Sequence, residues 1–270
     1  MAIVNRTPDS FYDRGATFDP VDALEAVRRS LAEGADVIDV GGVKAGPGDE
    51  VDADAEIERT VPFIAIVRES FPEAVISIDT WRAGVAEAAV DAGADIVNDT
   101  WAGHDPDVVQ VAADRRTGFV CSHTGGALPR TRPHRVAYAD VVEDVLRTTT
   151  RAADAAEAAG VPPEGLLIDP THDFGKNTHH GLALLRRVDE LVAVGRPVMM
   201  ALSRKDFVGE TLDLPPDDRL EGTLAATTVA ALAGCAVFRT HDVTATRRVL
   251  EMTASIIGER PPARAVRGLA

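Results

Sequence analysis

Eight short apolar runs recur along the chain, roughly 30 residues apart, and almost every one ends in polar residues. They are Ala2–Val4 before Asn5, Val37–Val40 before Gly41 and Gly42, Val75–Ile78 before Asp79, and Asp95–Val97 before Asn98. The second half continues with Phe119–Cys121 before His123, Leu166–Ile168 before Asp169, Val198–Leu202 before Ser203 and Lys205, and Ala236–Phe238 before Arg239 and His241. Runs this short, rich in Val and Ile and separated by amphipathic stretches, read as buried parallel strands joined by helices. In a closed α/β barrel of that kind all strand ends open onto one face, where such folds place their chemistry. An open doubly wound sheet is the rival, but it gathers ligand residues at one switch point. Polar ends on all eight strands favour a single eight-fold β/α (TIM) barrel.

The length of 270 residues suits one such domain, spanning 1–270, with a core large enough to fold without staples. Cys121 and Cys235 both fall in apolar strand runs, which implies two buried thiols in a reducing compartment. No basic-then-apolar leader precedes the first strand and no run approaches bilayer length, so the expected location is cytoplasmic. Met1 stands at the first residue of a strand, so either the usual lead-in segment is missing or the natural start lies upstream. The net charge of −15 argues against nucleic acid and anionic membrane as partners, since both need a basic face. Arg greatly outnumbers Lys, and the three lysines, Lys44, Lys176 and Lys205, all fall in loops on the proposed active face.

Helical patterns fill the gaps. Asp19 and Pro20 form a start signal, and Val21, Leu24, Val27 and Leu31 make one apolar stripe that ends at Gly34. Further helices are expected over about 53–70, 82–92, 105–115, 138–159, 178–194, 217–233 and 243–257, with Pro62 kinking the first of these or beginning a new turn. The long or Gly/Pro-rich loops 7–19, 41–52 and 124–137 resemble lids over a barrel mouth.

Asp79, Asn98, Asp169 and Lys205 converge on the barrel axis in this arrangement. Two carboxylates, an amide and an ammonium match a flat heterocycle that carries a guanidine-like edge and a lactam, and a pterin fits that description. Asp and Asn at strand ends also cap helices, so any one of them has a structural alternative. Ser203, Arg204 and Lys205 with Arg239, Thr240, His241 and Asp242 lie after strands 7 and 8, the common phosphate site of barrels. There, cations would stabilise a leaving diphosphate. After strand 1, the Asn5 amide oxygen suits a hard cation, and Asp9 could swing in to meet developing positive charge. His172, Asp173, His179 and His180 straddle a turn and a helix start and are expected as surface polar residues rather than metal ligands. Trp81 and Trp101 are expected to pack at the rim.

Together the motifs N-x-T-P-D-S-F, D-V-G-G, I-D-T, N-D, D-P-x-x-x-F-G-K, S-R-K and R-x-H-D, in order after strands 1, 2, 3, 4, 6, 7 and 8, resemble the dihydropteroate synthase family over nearly the whole chain. That resemblance implies transfer of a pterin-methyl group from its diphosphate to p-aminobenzoate, with Mg²⁺. It assigns Asp79, Asn98, Asp169 and Lys205 to the pterin ring, and Asn5, Arg239 and His241 to the diphosphate, with Asn5 also on Mg²⁺. Asp9, Lys205 and Arg239 then serve the chemical step, Pro47, Phe174 and Ser203 meet the second substrate, and a homodimer is implied through the last helices.

The departures fall after strands 2, 5 and 6, the last where D-P-G-x-G-F-G-K becomes Asp169-Pro170-Thr171-His172-Asp173-Phe174-Gly175-Lys176. Where the family reads E-S-T-R-P-G, this chain reads Val43-Lys44-Ala45-Gly46-Pro47-Gly48, losing the Thr and Arg that reach diphosphate and p-aminobenzoate. Met-His-Met becomes Ser122-His123-Thr124. The pattern is similar to the divergent second paralogue of actinobacteria. It leaves three readings beside the synthase: a pterin-binding protein without turnover, a transferase with another nucleophile, and a folate-to-corrinoid methyl transferase. The last needs no diphosphate site, and Lys205, Arg239 and His241 argue against it.

Overall fold

The apolar runs become strands. The computed structural model describes residues 1–7, 17, 19–131 and 137–268, and these form β1 (Ala2–Asn5), β2 (Val37–Gly41), β3 (Val75–Asp79), β4 (Ile96–Asp99), β5 (Gly118–Ser122), β6 (Leu166–Asp169), β7 (Met199–Met200) and β8 (Val237–Phe238). The first six make one parallel sheet in sequential order, and β7 pairs with β8. Single parallel bridges, Ile168 with Val198 and Ala2 with Thr240, join the ribbon to the sheet at both seams. The Ile168 amide donates to the Pro197 carbonyl at 3.0 Å, and the Thr240 amide to the Met1 carbonyl at 2.9 Å. The eight-fold β/α barrel is therefore the architecture, with its pairing thinnest on either side of β7 and β8. Pro197, which has no N–H to give, stands at one of these seams.

The helices are α1 (Pro20–Ala32), α2 (Ala53–Ser70), α3 (Ala83–Asp91), α4 (Val108–Arg115), α5 (Val141–Ala159), α6 (Thr178–Arg186), α7 (Val188–Val192), α8 (Asp206–Leu212), α9 (Leu220–Leu232) and α10 (Val243–Ile256). Asp19, Asp52, Asp140 and Asn177 cap α1, α2, α5 and α6 through side-chain oxygens. Each such cap is worth about 1 kcal/mol. Two expectations change. The helix expected over 178–194 divides at Arg187, whose guanidinium binds Glu190 at 2.6 Å and Asp140 at 2.6 Å. A short helix, α8, forms directly after Lys205 where only a loop was expected. Pro62 is carried inside α2, which continues through it as one helix.

Strand register sets what faces the barrel axis. Asp39 pairs with Ser77, and Gly41, Asp79, Asn98 and Val120 follow one another across neighbouring strands, as do Ser122 and Asp169. Cα partners in a parallel sheet point to the same side. The inward parity thus carries Asn5, Asp39, Gly41, Ser77, Asp79, Asn98, Ser122 and Asp169, with Ile3, Ile96, Val120 and Leu167 between them. The opposite parity, Val4, Ile38, Val40, Ile76, Ile78, Val97 and Ile168, is buried under the helices with Phe63, Ile64, Val67, Val142, Val145 and Leu184. Each of these larger side chains contributes about 1.5–3 kcal/mol of burial, so the outer layer holds the fold and leaves the inner one available for chemistry.

Candidate functional site at the barrel mouth

Arg239, at the end of β8, reaches across the barrel. Its Nε donates to Asp39 Oδ2 at 2.6 Å and its Nη2 to Asp79 Oδ2 at 2.7 Å. Asp39 Oδ1 also accepts from Ser77 Oγ at 2.6 Å, and Thr100 Oγ1 donates to Asp79 Oδ1 at 2.8 Å. The Asn98 amide nitrogen lies 3.4 Å from Asp39 Oδ1, which turns Asn98 Oδ1 away, buried and without a hydrogen-bond partner. Burial pushes Asp79 up to about 6, with Asp39 adding to the shift and Arg239 opposing it. Burial also pulls the Arg239 guanidinium down, but Asp39 and Asp79 outweigh it and hold the charge on.

The other wall is built by β5, β6 and β7. Asp169 is buried, its Oδ1 accepts from the Thr171 amide at 2.7 Å, and burial raises its pKa against the pull of Lys205 and Lys176. Lys205 sits over the Phe174 ring at 4.6 Å and donates to the His172 carbonyl. Burial lowers its pKa. Phe174 packs on Trp101 at 4.8 Å, and Trp101 meets Trp81 edge-on at 6.4 Å, so both tryptophans are buried parts of the mouth. Ser203 Oγ lies 3.0 Å from His241 Nδ1 and accepts from the His241 amide at 3.2 Å. Ser122 is buried with an unpartnered hydroxyl.

The loops after β5 and β6 form one block. The Lys176 ammonium donates to the His123, Thr171 and Phe174 carbonyls at 2.7, 3.2 and 3.0 Å, and Tyr138 donates to the Gly175 carbonyl at 2.7 Å. Burial pulls Lys176 down to about 7, yet three carbonyls need three N–H donors, which only the charged form supplies. The β2–α2 loop is held from both sides. Arg130 donates to the Gly46 carbonyl at 3.4 Å, and Arg82, paired with buried Glu56, donates to the Val51 carbonyl at 2.6 Å. Pro47 is exposed on that loop, and Lys44 is half-buried.

The sequence-predicted residues Asn5, Asp79, Asn98, Asp169, Lys205, Arg239, Ser203 and Phe174 therefore share one mouth, with His241 bound to Ser203 there. Asp9 lies outside the described residues. Asp39, Ser77 and Thr100 are additions. The available signal was an acid set inside an apolar strand at the same parity as Gly41. One expectation is corrected: His172 is not a surface residue. It is fully buried against Phe207, ring centroids 5.2 Å apart, because the loop turns inward through left-handed backbone at Thr171 and Asp173. Among the described residues no group of three or more His, Cys, Asp and Glu side chains could hold a metal ion. The two thiols are buried and unpaired, and burial pushes both to about 12, so neither is a nucleophile near neutral pH. The site can bind a donor-rich ring edge and an anion beside it.

Known proteins share this sequence and this fold. A pterin binding enzyme family model matches residues 1–241. The chain is 65% identical over 274 residues to inactive dihydropteroate synthase 2 of Mycobacterium leprae, covering all of this chain and 94% of the relative. It is 38% identical over 262 residues to dihydropteroate synthase of Bacillus subtilis, covering 96% and 88%. The dihydropteroate synthase of Yersinia pestis, solved with a sulfonamide drug, superimposes with a TM-score of 0.90 at 32% identity, covering 96% of this chain and 94% of that one. The chain belongs to the dihydropteroate synthase family of pterin binding enzymes.

Proposed function

We propose that the barrel mouth binds a pterin, as its methyl diphosphate, and that coupling to p-aminobenzoate is slow or lost. The observation that carries the binding half is the inward set Asp79, Asn98, Asp169 and Lys205, in which Asn98 Oδ1 is buried and unpartnered. A ring N–H supplies what that oxygen lacks, and leaving it unmet costs about 1–3 kcal/mol. Asp79 and Asp169 accept from the guanidine-like edge, and Lys205 donates to the lactam. Arg239 and His241 face the diphosphate, and Lys205 and Arg239 stabilise its departure. Asp9 meets the pterin-methyl cation that results.

Mg²⁺ suits the donor set in one way. A Cβ built on Gly41 would stand 3.7 Å from both Asn5 Oδ1 and Asp79 Oδ2, so the Asn5 amide oxygen faces the same part of the mouth as the acid cluster. Mg²⁺ keeps most of its water and takes few protein ligands alongside phosphate oxygens. Asn5 would hold an ion that arrives with the diphosphate, and the ion would supply charge neutralisation for the leaving group.

The second half rests on the β2–α2 loop. Pro47, Phe174 and Ser203 remain for a second substrate, but the family's Thr and Arg are absent. At about 1.5–3 kcal/mol for each charged hydrogen bond, their loss slows coupling by roughly two to four powers of ten. Identity of 65% to a relative named inactive supports the same reading. We further place the protein in the cytoplasm as a homodimer. Its interface would be the apolar side chains Leu212, Val229, Leu232, Met252 and Ile256, exposed on α8, α9 and α10, and sedimentation equilibrium showing only monomer would remove the dimer.

Incubation of the full chain with pterin methyl diphosphate, p-aminobenzoate and Mg²⁺ tests the function. The expected result is saturable pterin binding with little or no dihydropteroate. Product at ordinary enzymatic rates would overturn the loss of coupling.

A further inference from the structure

We propose that Asp39 is the positioning residue of the ring pocket: it holds Arg239 in the barrel and dictates which end of the Asn98 amide faces the ligand. The inference rests on the pterin-binding reading. Asp39 is wholly buried on the inward face of β2 and receives hydrogen bonds from β3, from β4 and from the residue that follows β8. Ser77 Oγ and Arg239 Nε each lie at 2.6 Å, and the Asn98 amide nitrogen at 3.4 Å.

Two consequences follow from chemistry. A carboxylate only accepts, so Asn98 must turn its NH₂ to Asp39 and present its oxygen to the pocket, where it stands buried and unpartnered. A neutral amide at position 39 could donate or accept, and Asn98 would lose that bias. The second concerns Arg239, whose Nη2 occupies Asp79 Oδ2 at 2.7 Å. A ring that claims Asp79 displaces this bond. With Asp39 in place, the buried guanidinium keeps one counter-charge throughout the exchange. Without it, the ring would strip a buried cation of the one other carboxylate that pairs with it among the described residues, which is strongly unfavourable. Asp39 thus makes Asp79 exchangeable.

The charged groups around this cluster are Asp79, Glu56 and Asp169, the Arg239 and Lys205 cations and the Met1 amino group. Asp79 is pushed up to about 6 by burial, with Asp39 raising it and Arg239 lowering it. Neutralising Asp39 removes one repulsion and gives Arg239 wholly to Asp79, so both changes move Asp79 downward.

Calorimetric titration of the full chain with 6-hydroxymethylpterin between pH 5 and pH 7.5 tests this. Wild-type affinity is expected to fall as pH drops through about 6 and Asp79 takes up its proton. Asp39→Asn should bind about tenfold more weakly or worse near pH 7.5, with its acid limb displaced to lower pH. Ser77→Ala, a milder change that removes one donor from Asp39, should weaken binding about three- to tenfold. Weaker binding of Asp39→Asn with an unmoved acid limb would mark Asp39 as structural only and overturn the proposal. Affinity within about twofold of wild type would overturn it too, read from Ser77→Ala if Asp39→Asn does not fold. Wild type that binds no pterin would instead remove the ring reading itself, and the proposal with it.

Discussion

Single residues at this mouth carry costs that only a ligand or the surrounding fold can offset. His172 is the clearest case of the fold bearing such a cost, with both ring nitrogens buried and without hydrogen-bond partners. Burial, with Lys205 and Lys176 nearby, pulls it down to about 3, so it stays neutral in the fold while the unfolded chain protonates it below about 6.5. The unfolded state then binds more protons, and stability is lost as pH falls from about 6.5 towards 3, at about 1.4 kcal/mol per pH unit. His172→Phe keeps the ring against Phe207 and removes the proton. Its thermal midpoint should exceed that of wild type, and the gap should widen as pH is lowered through this window. A gap that is constant with pH would show that His172 does not titrate in this way. Its burial was not legible in the sequence, where a polar run beside a helix start reads as surface.

Among the elements, the β5–α5 and β6–α6 loops show how backbone acceptors can make a rigid wall. Gly175 has φ +61°, and a Cβ there would meet the Thr124 carbonyl oxygen at 1.8 Å. Gly175→Ala would therefore combine left-handed strain with a backbone clash. It should destabilise the chain by about 3 kcal/mol or more in urea unfolding. A loss under about 1 kcal/mol would mean the two loops are not packed as a block. The block was only half legible. Gly175 and Lys176 stood out in the sequence, but the three carbonyls that hold Lys176 leave no trace in side-chain pattern. The same limit hid α8, seven residues long and too short to show a helical period.

For the whole molecule, the eight strands were legible because their outward parity is Val and Ile and their ends turn polar together. The inward acid Asp39 was not singled out, because one carboxylate within Val37–Val40 reads as a blemish in a strand until register places it beside Ser77 and Arg239. The family resemblance rests on the strand ends, and the departures sit after β2, at the end of β5 and in the loop after β6. On the proposed reading binding and turnover are separable, since the ring-binding set Asp79, Asn98, Asp169 and Lys205 is kept while the family's Thr and Arg are missing from the β2–α2 loop. The central claim is that a pterin occupies the ring pocket. Calorimetry of wild type and Asp79→Asn with 6-hydroxymethylpterin at pH 7.5 tests it most directly. It predicts saturable one-to-one binding by wild type, weakened about a hundredfold by loss of the charged acceptor. No binding by wild type, or equal binding by a folded Asp79→Asn, would contradict it.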